Sequence, residues 1–173
     1  MSGERSERGS KPVGEPADFA EWARPALLSM TRLARRLAPP TEVEDVVQDA
    51  LTRAWQKWST YDVERGTPTV WLLAIVADRA RAARVARVRS LRVVDDAAPM
   101  PEQPVTDTIA DVDLDRAIEV LAERQQLAVQ LHYFVGLSVD ECAAVMECSP
   151  GTVKSTLFDA RRRLRELLEV GDD

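Results

Sequence analysis

Residues 136–168 read GLSVDECAAVMECSPGTVKSTLFDARRRLRELL, a pattern that predicts two helices joined by a tight turn. Ser138 and Glu141 have the spacing of a capping box, which starts a helix by satisfying free backbone N–H groups. The pattern then breaks, and Ser149 followed by Pro150 has the preferences of an N-cap and a first helical position. The stretch therefore predicts a helix-turn-helix.

The second predicted helix has an apolar stripe opposite a basic face. At about 100° of rotation per residue, the stripe contains Val153, Leu157, Ala160, Leu164, Leu167 and Leu168. The basic face contains Lys154, Ser155, Phe158, Arg161, Arg162 and Arg165. Phe158 is discordant there, but a recognition helix in the major groove can place such a ring against a thymine methyl or a sugar. The alternative is a solvated helix on which Phe158 packs against another part of the chain.

These residues also carry a family resemblance. The run GLSVDECAAVMECSPGTVKSTLFDARRRLREL resembles the C-terminal promoter-reading domain of bacterial extracytoplasmic-function sigma factors. The resemblance implies that the second helix reads the minus-35 promoter element through Thr152, Lys154, Ser155, Phe158, Asp159, Arg161 and Arg162. Asp159 stands where many relatives have a basic residue, which implies a different base preference, such as the amino group of a cytosine.

The composition of the whole chain is typical of an all-α protein. Its 173 residues, with 45% hydrophobic and 30% charged residues, suit a soluble protein of one or two domains. No stretch alternates apolar and polar residues over the length of a strand, so helices are expected throughout. The net charge of −6 excludes a protein whose whole surface coats nucleic acid, so DNA contacts must come from local basic faces.

Charge and proline content divide the chain into segments. Residues 79–92 hold six arginines and no acid, whereas residues 93–115 hold seven acids and no base. We predict a disordered tail at 1–17, a helical domain at 18–92, an acidic linker at 93–112, a helix-turn-helix domain at 113–170 and a tail at 171–173. The resemblance equates the two domains with sigma regions 2 and 4 and implies that the linker threads through RNA polymerase. A plain flexible tether is the alternative for the linker.

The first predicted domain begins with a helix that is amphipathic over residues 18–37. Pro25 is expected to tighten or kink its first turns. Pro39 and Pro40 are expected to end it, and Thr41 to cap the next helix.

That next helix, TEVEDVVQDALTRAW at residues 41–55, leaves an acidic and polar face outside its apolar stripe. On physical grounds alone this is a solvated face. EDVVQDA, however, resembles the sigma-factor segment that docks on the clamp helices of the polymerase β′ subunit. The resemblance implies that Asp45, Gln48 and Asp49 bind core polymerase.

A loop at residues 57–67, KWSTYDVERGT, precedes a helix at 68–89 that becomes strongly basic. The tryptophans around the loop are interpreted as core packing. The resemblance implies that loop and helix read the minus-10 element and hold an unstacked base, with contacts from Asp78, Arg79, Arg81 and Arg84. Asp78 replaces the usual asparagine and can only accept hydrogen bonds, which implies altered recognition. A solvated helix face is the alternative for the arginines.

Other chemistry is not indicated by the sequence. Cys142, Cys148 and the single His132 do not have a recognised metal spacing, so structural thiols, no metal and no cofactor are expected, with a redox or zinc role as the alternative. No catalytic constellation is present, so no enzyme is expected. The first twelve residues are too polar for a signal peptide, and the longest apolar run, 70–77, is too short to span a bilayer. We expect a cytoplasmic protein without membrane insertion.

The resemblance as a whole implies an RNA polymerase sigma factor that directs promoter recognition and initiation. Its expected partners are core polymerase, through the β′ clamp helices and the β subunit, promoter DNA and an anti-sigma factor. One alternative is a stand-alone helix-turn-helix regulator, which would form dimers and bind DNA without core. The other is a polymerase-binding adaptor without initiation activity.

Overall fold

Helices form the whole architecture of the residues that the computed structural model describes, 16–93 and 109–169. The N-terminal unit contains α1 (Pro16–Ala23), α2 (Leu27–Leu37), α3 (Val43–Lys57) and α4 (Pro68–Val93). The C-terminal unit contains α5 (Ile109–Glu119), α6 (Glu123–Val129), α7 (Val139–Val145) and α8 (Pro150–Glu169). This arrangement confirms the predicted all-α class. Residues 16–17, assigned to the N-terminal tail, instead begin α1. The rest of the predicted terminal tails and most of the predicted linker lie outside the described residues.

The boundaries of the first helices follow the prolines. A 3₁₀ turn at Arg24–Ala26, containing Pro25, separates α1 from α2. The chain is thus tightened at Pro25 as expected, but the single helix predicted over 18–37 is divided into two. The predicted cap at Thr41 is wrong. Pro40 instead opens a 3₁₀ turn, in which the Glu42 N–H donates to the Pro39 carbonyl at 2.9 Å, and α3 begins after it without a side-chain cap. Because of this turn, the N-cap position of α3 falls on Glu42 and not on Thr41.

The core of the N-terminal unit is formed by α2, α3 and α4, whose largest fully buried side chains are Met30, Leu33, Leu72, Leu73 and Val76. At one end of this core lies an aromatic cluster of Phe19, Trp22, Trp55, Trp58, Tyr61 and Trp71. Neighbouring ring centroids are 5.0–5.8 Å apart, mostly in edge-to-face or tilted pairs. Such pairs stabilise a fold beyond the area they bury. The core-packing interpretation is confirmed for Trp58, which is buried, and in part for Trp71, which is half-buried, whereas Trp55 is 38% exposed.

The C-terminal unit differs from the sequence expectation at two places. Helix α5 begins at Ile109, so residues 109–112, assigned to the linker, are helical. Helix α6 continues into an unpredicted π-helical turn, Gln130–Val135. That turn ends at Gly136, whose left-handed φ of 88° confirms the predicted glycine cap.

The two units pack against each other. Helix α2 contacts the π-helical turn, and α4 contacts α7. Arg36 on α2 places Nη1 2.6 Å from Asp115 Oδ1, and its guanidinium lies 3.8 Å from the centre of the Phe134 ring. Arg81 on α4 donates from Nε to Glu123 Oε1 at 3.0 Å. Among the described residues, the ion pairs Arg36–Asp115 and Arg81–Glu123 therefore join the two units in addition to the contact between α4 and α7.

Candidate nucleic-acid and polymerase interfaces

Two helix caps hold α7 and α8 in place. The backbone N–H of Ser138 donates to Glu141 Oε2 at 2.8 Å, and the Glu141 N–H donates back to Ser138 Oγ at 3.2 Å. At the start of α8 the Thr152 N–H donates to Ser149 Oγ at 3.1 Å. Both predicted caps are confirmed. The caps fix the turn between the helices, and with it the direction in which α8 presents its side chains.

Helix α8 buries the first three residues of its predicted apolar stripe and exposes its basic face, while Leu164 and Leu167 are half-buried and Leu168 is exposed. Val153, Leu157 and Ala160 are buried against the rest of the unit. Phe158 is 60% exposed and makes no ring contact among the described residues, so it does not pack against them as the alternative required. An aromatic ring left in water beside cations is a surface that gains free energy when a partner covers it.

The predicted minus-35 residues fall into two groups on α8. Lys154 and Arg161 are exposed and have no ion pair among the described residues. Arg162 instead has a carboxylate partner, with Nη2 3.4 Å from Asp159 Oδ1. Asp159 is half-buried and lines a shallow cavity of about 330 Å³ with Val120 and other residues of the α5–α6 connection. Asp159 thus lies at the edge of the exposed face.

The two predicted hydroxyl contacts on α8 are already partly used within the helix. Ser155 Oγ donates to the Thr152 carbonyl at 3.0 Å, and Thr152 Oγ1 lies 2.9 Å from Ser149 Oγ. Both hydroxyl oxygens keep lone pairs that can accept a further hydrogen bond.

The predicted core-binding residues lie on one exposed surface of α3. Asp45, Gln48 and Asp49 are all exposed, while Val46 and Ala50 on the opposite side are buried. This confirms the predicted amphipathic arrangement of the helix. The acidic face is therefore available to a partner.

Arg79 connects this acidic face to α4. Its Nη1 lies 3.6 Å from Asp49 Oδ2, and its Nη2 lies 2.6 Å from Asp78 Oδ2. The hydrogen bond to Asp78 raises the pKa of Arg79 despite partial burial. Its Nε is buried without a hydrogen-bond partner among the described residues. Arg79, predicted as a DNA contact, is thus engaged within the protein.

The other arginines of α4 differ in their partners. Arg81 is paired with Glu123 of the C-terminal unit, and Arg87 with Glu42 at 2.9 Å. Arg84 is exposed and has no ion pair among the described residues. Of the predicted minus-10 cations, Arg84 is therefore the one that the described structure leaves available.

A cleft of about 1050 Å³ lies between the N-terminal unit and α7. The side formed by the N-terminal unit carries Trp71 and three cations that the sequence analysis missed, Arg53, Lys57 and Arg65. A signal was present in the sequence, because Lys57 and Arg65 lie within the predicted loop and Arg53 lies just before it. Single strands are held by the same combination of cations and aromatic faces.

The loop beside this cleft has a fixed shape. Tyr61 Oη donates to the Gly66 carbonyl at 3.0 Å, and burial raises the pKa of Tyr61, which keeps its hydroxyl protonated. Gly66 has a φ of 142°, which side chains rarely tolerate, and an added Cβ would lie 3.3 Å from Val70 Cγ1. Both of these contacts lie within the N-terminal unit.

The cysteines and the histidine have structural surroundings. Cys142 and Cys148 are free thiols, and burial raises the pKa of Cys142 to about 11. His132 Nδ1 lies 2.8 Å from the Leu137 carbonyl, where it fixes the π-helical turn. No group of three possible metal ligands occurs in the described ranges. None of the helices described is both long enough and apolar enough to cross a membrane.

Comparison with protein families gives two matches. Residues 26–89 match the family described as Sigma-70 region 2, and residues 111–164 match Sigma-70, region 4. The chain is 32% identical over 166 residues to the RNA polymerase sigma-E factor of Streptomyces coelicolor, covering 92% of this chain and 91% of that protein. It is 28% identical over 144 residues to the ECF RNA polymerase sigma factor SigK of a Mycobacterium species, covering 79% and 75%.

Two solved structures have the same fold. The sigma factor RpoE, in complex with the anti-sigma factor NepR from Bartonella quintana, matches with a TM-score of 0.70 and 29% identity over 90% of this chain and 99% of that chain. CnrH, in complex with the cytosolic domain of CnrY, matches with a TM-score of 0.68 and 26% identity over 92% of each.

Two helical units with the motifs of regions 2 and 4 define the class of sigma-70 transcription initiation factors. Within that class the chain belongs to the extracytoplasmic-function RNA polymerase sigma factors. Sigma factors direct promoter recognition and are not enzymes. A stand-alone regulator and an adaptor are not favoured, because both sigma domains are present in the expected order.

Proposed function

We propose that this sigma factor binds core polymerase through the acidic face of α3 and reads the minus-35 element with α8 and the minus-10 element with α4. The observation that carries the proposal is the exposed Phe158 beside Lys154 and Arg161, which have no ion pair among the described residues, on the second helix of a capped helix-turn-helix. A partner that covers the ring there would gain free energy from burying its apolar area.

At the minus-35 element, Lys154 and Arg161 would contact phosphates or guanine edges while Phe158 covers an apolar part of the groove. Thr152 and Ser155 would accept or donate at the backbone, and Arg162 would contribute after loosening its pair with Asp159. Asp159, at the edge of the face, would act chiefly by holding Arg162 and by favouring an amino group nearby.

At the minus-10 element, Arg84 would contact the phosphate backbone, and the cleft beside the loop would receive an unstacked base against Trp71. Asp78 would accept a hydrogen bond at its rim. Arg79 would act mainly by joining α4 to α3, and Arg81 would become available when it leaves Glu123.

On core polymerase, Asp45, Gln48 and Asp49 would meet basic residues of the β′ clamp helices, and the C-terminal unit would meet the β subunit. Charge complementarity of this kind sets orientation and partner choice more than affinity. Core would also hold the two DNA-reading units at a fixed separation, which turns two weak contacts into one strong one. The acidic segment between α4 and α5 would span that separation.

An anti-sigma factor is a further proposed partner. Both structural neighbours were solved with an anti-sigma factor or a cytosolic partner domain bound, which supports the same kind of regulation here. The protein would act in the cytoplasm, where RNA polymerase meets the genome.

The proposal is tested by run-off transcription with purified core polymerase on fragmented genomic DNA, with and without this protein. We expect new transcript starts that share two spaced upstream elements and that vanish when core is omitted. An active core that produces no new starts with the folded protein would contradict the proposal.

A further inference from the structure

We propose that Arg79 positions the Asp78 carboxylate as a fixed hydrogen-bond acceptor, and that this acceptor selects a base with an exocyclic amino group, cytosine or adenine, at one position of the minus-10 element. The inference rests on the proposed function of α4 as the minus-10 reader. It names the chemical class of base that this chain selects there, and it gives Arg79 a role that requires no contact with DNA.

Asp78 lies on the side of α4 that faces the cleft. Trp71 and Asp78 both line the cleft, and the seven residues from one to the other make about two helical turns, so the two side chains share one face of the helix. They are about 10 Å apart along the helix axis, whereas neighbouring bases of one strand are about 3.4 Å apart. Asp78 therefore meets a different base from the one that stacks on Trp71.

The Asp78 carboxylate has one oxygen occupied and one available. Arg79 Nη2 donates to Asp78 Oδ2 at 2.6 Å, and Oδ1 accepts no hydrogen bond among the described residues. The side chain of Asp78 is 62% exposed and that of Arg79 only 25%, so the carboxylate reaches solvent while most of the arginine is covered. The pair thus presents an acceptor oxygen at the surface and keeps its cation behind it.

Contacts with α3 hold the guanidinium of Arg79 in place. Its Nη1 lies 3.6 Å from Asp49 Oδ2, and its Nε is buried. The hydrogen bond to Asp78 raises the pKa of Arg79, so the side chain stays charged. Adjacent residues on a helix point in different directions, so the pair forms because the long Arg79 side chain bends back to Asp78. Arg79 is therefore a support for Asp78.

The chemistry of a carboxylate decides which bases can lie opposite Asp78. An ionised carboxylate only accepts hydrogen bonds. Cytosine and adenine present an amino group in the major groove, whereas guanine and thymine present acceptors there. An acceptor facing Asp78 would leave both groups without a hydrogen bond and would repel the carboxylate. Asp78 therefore favours cytosine or adenine over guanine or thymine.

Arg79 makes this contact possible in two ways. A lone carboxylate beside DNA is repelled by the phosphates, and the guanidinium next to Asp78 offsets that negative charge. A carboxylate that is already oriented also loses little conformational freedom when it binds a base. Removing Arg79 would leave Asp78 both more strongly repelled and less ordered, so the base preference would weaken although Asp78 remains.

A bridge between α3 and α4 with no reading role is the competing explanation for the arrangement of Asp49, Arg79 and Asp78. Ion pairs that reach solvent contribute little stability individually. Loss of a bridge would change transcription from all promoter sequences by a common factor. Loss of a reading contact changes the ratio between bases at one position and leaves the other positions as they were.

The test measures that ratio with reconstituted holoenzyme. The templates carry a promoter mapped with the wild-type protein, in which each minus-10 position holds each of the four bases in turn, and sequencing of tagged transcripts gives the output of every template. Wild type is expected to prefer cytosine or adenine about tenfold at one position. Asp78→Asn, whose amide both donates and accepts, is expected to reduce that preference to about twofold.

Variants of Arg79 separate positioning from reading. Arg79→Ala is expected to weaken the preference at the same position, to about threefold. Arg79→Lys keeps one charged donor and is expected to retain more of the preference than Arg79→Ala, but less than wild type. Asp78→Asn combined with Arg79→Ala is expected to match Asp78→Asn alone, because Arg79 acts through Asp78.

Two control variants match these changes elsewhere. Arg87→Ala removes another paired arginine of α4, which contacts Glu42 at 2.9 Å, and it is expected to keep the wild-type ratios. Glu21→Gln removes one negative charge from an exposed position of α1, as Asp78→Asn does on α4, and should also keep them. Circular dichroism establishes that each variant is folded. If Arg79→Ala does not fold, Arg79→Lys makes the decision.

The inference is overturned if wild type shows no preference for amino bases at any minus-10 position, or if Asp78→Asn keeps the wild-type ratios. It is also overturned if Asp78→Asn weakens the preference while every folded Arg79 variant retains it in full. These outcomes leave the proposed function standing, because the holoenzyme still initiates at its promoters. A wild-type protein that produces no starts, or whose output ignores the minus-10 element, overturns the proposed function and this inference with it.

Discussion

The basic faces of α4 and α8 differ in what their cations already bind. On α8, Lys154 and Arg161 have no carboxylate partner among the described residues, and Phe158 beside them is exposed. On α4, Arg79 and Arg81 are paired with carboxylates. A count of arginines therefore measures the charge of a helix, but it does not show how many of those arginines are available to bind DNA.

This difference implies that α8 and α4 bind promoter DNA at different cost in internal interactions. Helix α8 can contact DNA without losing an interaction inside the protein, whereas most of α4 must exchange one partner for another. Exchange lowers the net free energy gained per contact, since each broken pair offsets part of each new one. The following variants test that difference, in order of decreasing expected effect.

The largest effect is expected from reversing a free cation on α8. Lys154→Glu should lower minus-35-dependent transcription about tenfold or more, because one good major-groove contact contributes about 1–3 kcal/mol and the new charge repels phosphate. Run-off transcription with reconstituted holoenzyme measures this on templates with an intact or a scrambled minus-35 element. Lys154→Arg should retain most activity. Unchanged transcription by Lys154→Glu would mean that free cations on α8 do not read DNA.

A smaller effect is expected from reversing the charge of Asp49, the α3 carboxylate that pairs with Arg79 of α4. Asp49→Lys should weaken core binding about fivefold, because charge reversal at an exposed interface position costs on the order of 1 kcal/mol. The fold should remain, since Arg79 keeps Asp78. Competition for core against labelled wild type measures the affinity. Glu21→Lys on α1 is the matched reversal outside the proposed interface, and an equal loss there would remove the assignment of Asp49.

The comparison between free and engaged cations is tested most directly on α4 itself. Arg84→Ala should reduce the salt dependence of promoter binding by holoenzyme by about one unit of slope, since one phosphate contact is lost. Arg79→Ala should leave the slope unchanged, because its guanidinium is held by Asp49 and Asp78. Promoter affinity at several salt concentrations gives both slopes. Equal slopes for the two variants would show that free and paired arginines on α4 contribute equally to DNA binding.

The smallest effect is expected from a cap that positions α8 indirectly. Ser138→Ala should lower the free energy of unfolding by about 1 kcal/mol, because the capping hydrogen bonds of α7 are lost. Ser90→Ala is the control, since its hydroxyl only donates to the Ala86 carbonyl within α4. Urea denaturation followed by circular dichroism compares the two. A loss of the same size in the control would show that the cap has no special role.

Local features of the fold could be predicted from sequence. The caps at Ser138 and Ser149, the glycine at 136 and the amphipathic face of α3 depend on residues within one or two helical turns. The spacing of these residues along the chain is therefore enough to predict the local backbone geometry. The cap at Thr41 failed because a preceding proline can open a 3₁₀ turn, and sequence alone does not fix where such a turn gives way to a helix.

The partners of the charged residues could not be predicted in this way. Arg81 and Glu123 are 42 positions apart, and Arg87 and Glu42 are 45 apart, so no periodicity relates them. The candidate DNA surface was thus found as a set of residues, while the ion pairs of those residues depend on how helices distant in sequence pack together. The cations at 53, 57 and 65 were missed because their common surface appears only when the loop folds beside α4.

The aromatic cluster has a spectroscopic consequence. All four tryptophans of the chain, Trp22, Trp55, Trp58 and Trp71, belong to it, so the C-terminal unit emits no tryptophan fluorescence of its own. Emission excited at the indole band therefore reports on the N-terminal unit alone, and Trp71 at the cleft makes that emission sensitive to quenching by a stacked nucleobase. The tryptophans are therefore a native fluorescent probe of the N-terminal unit, and the C-terminal unit contributes no tryptophan signal.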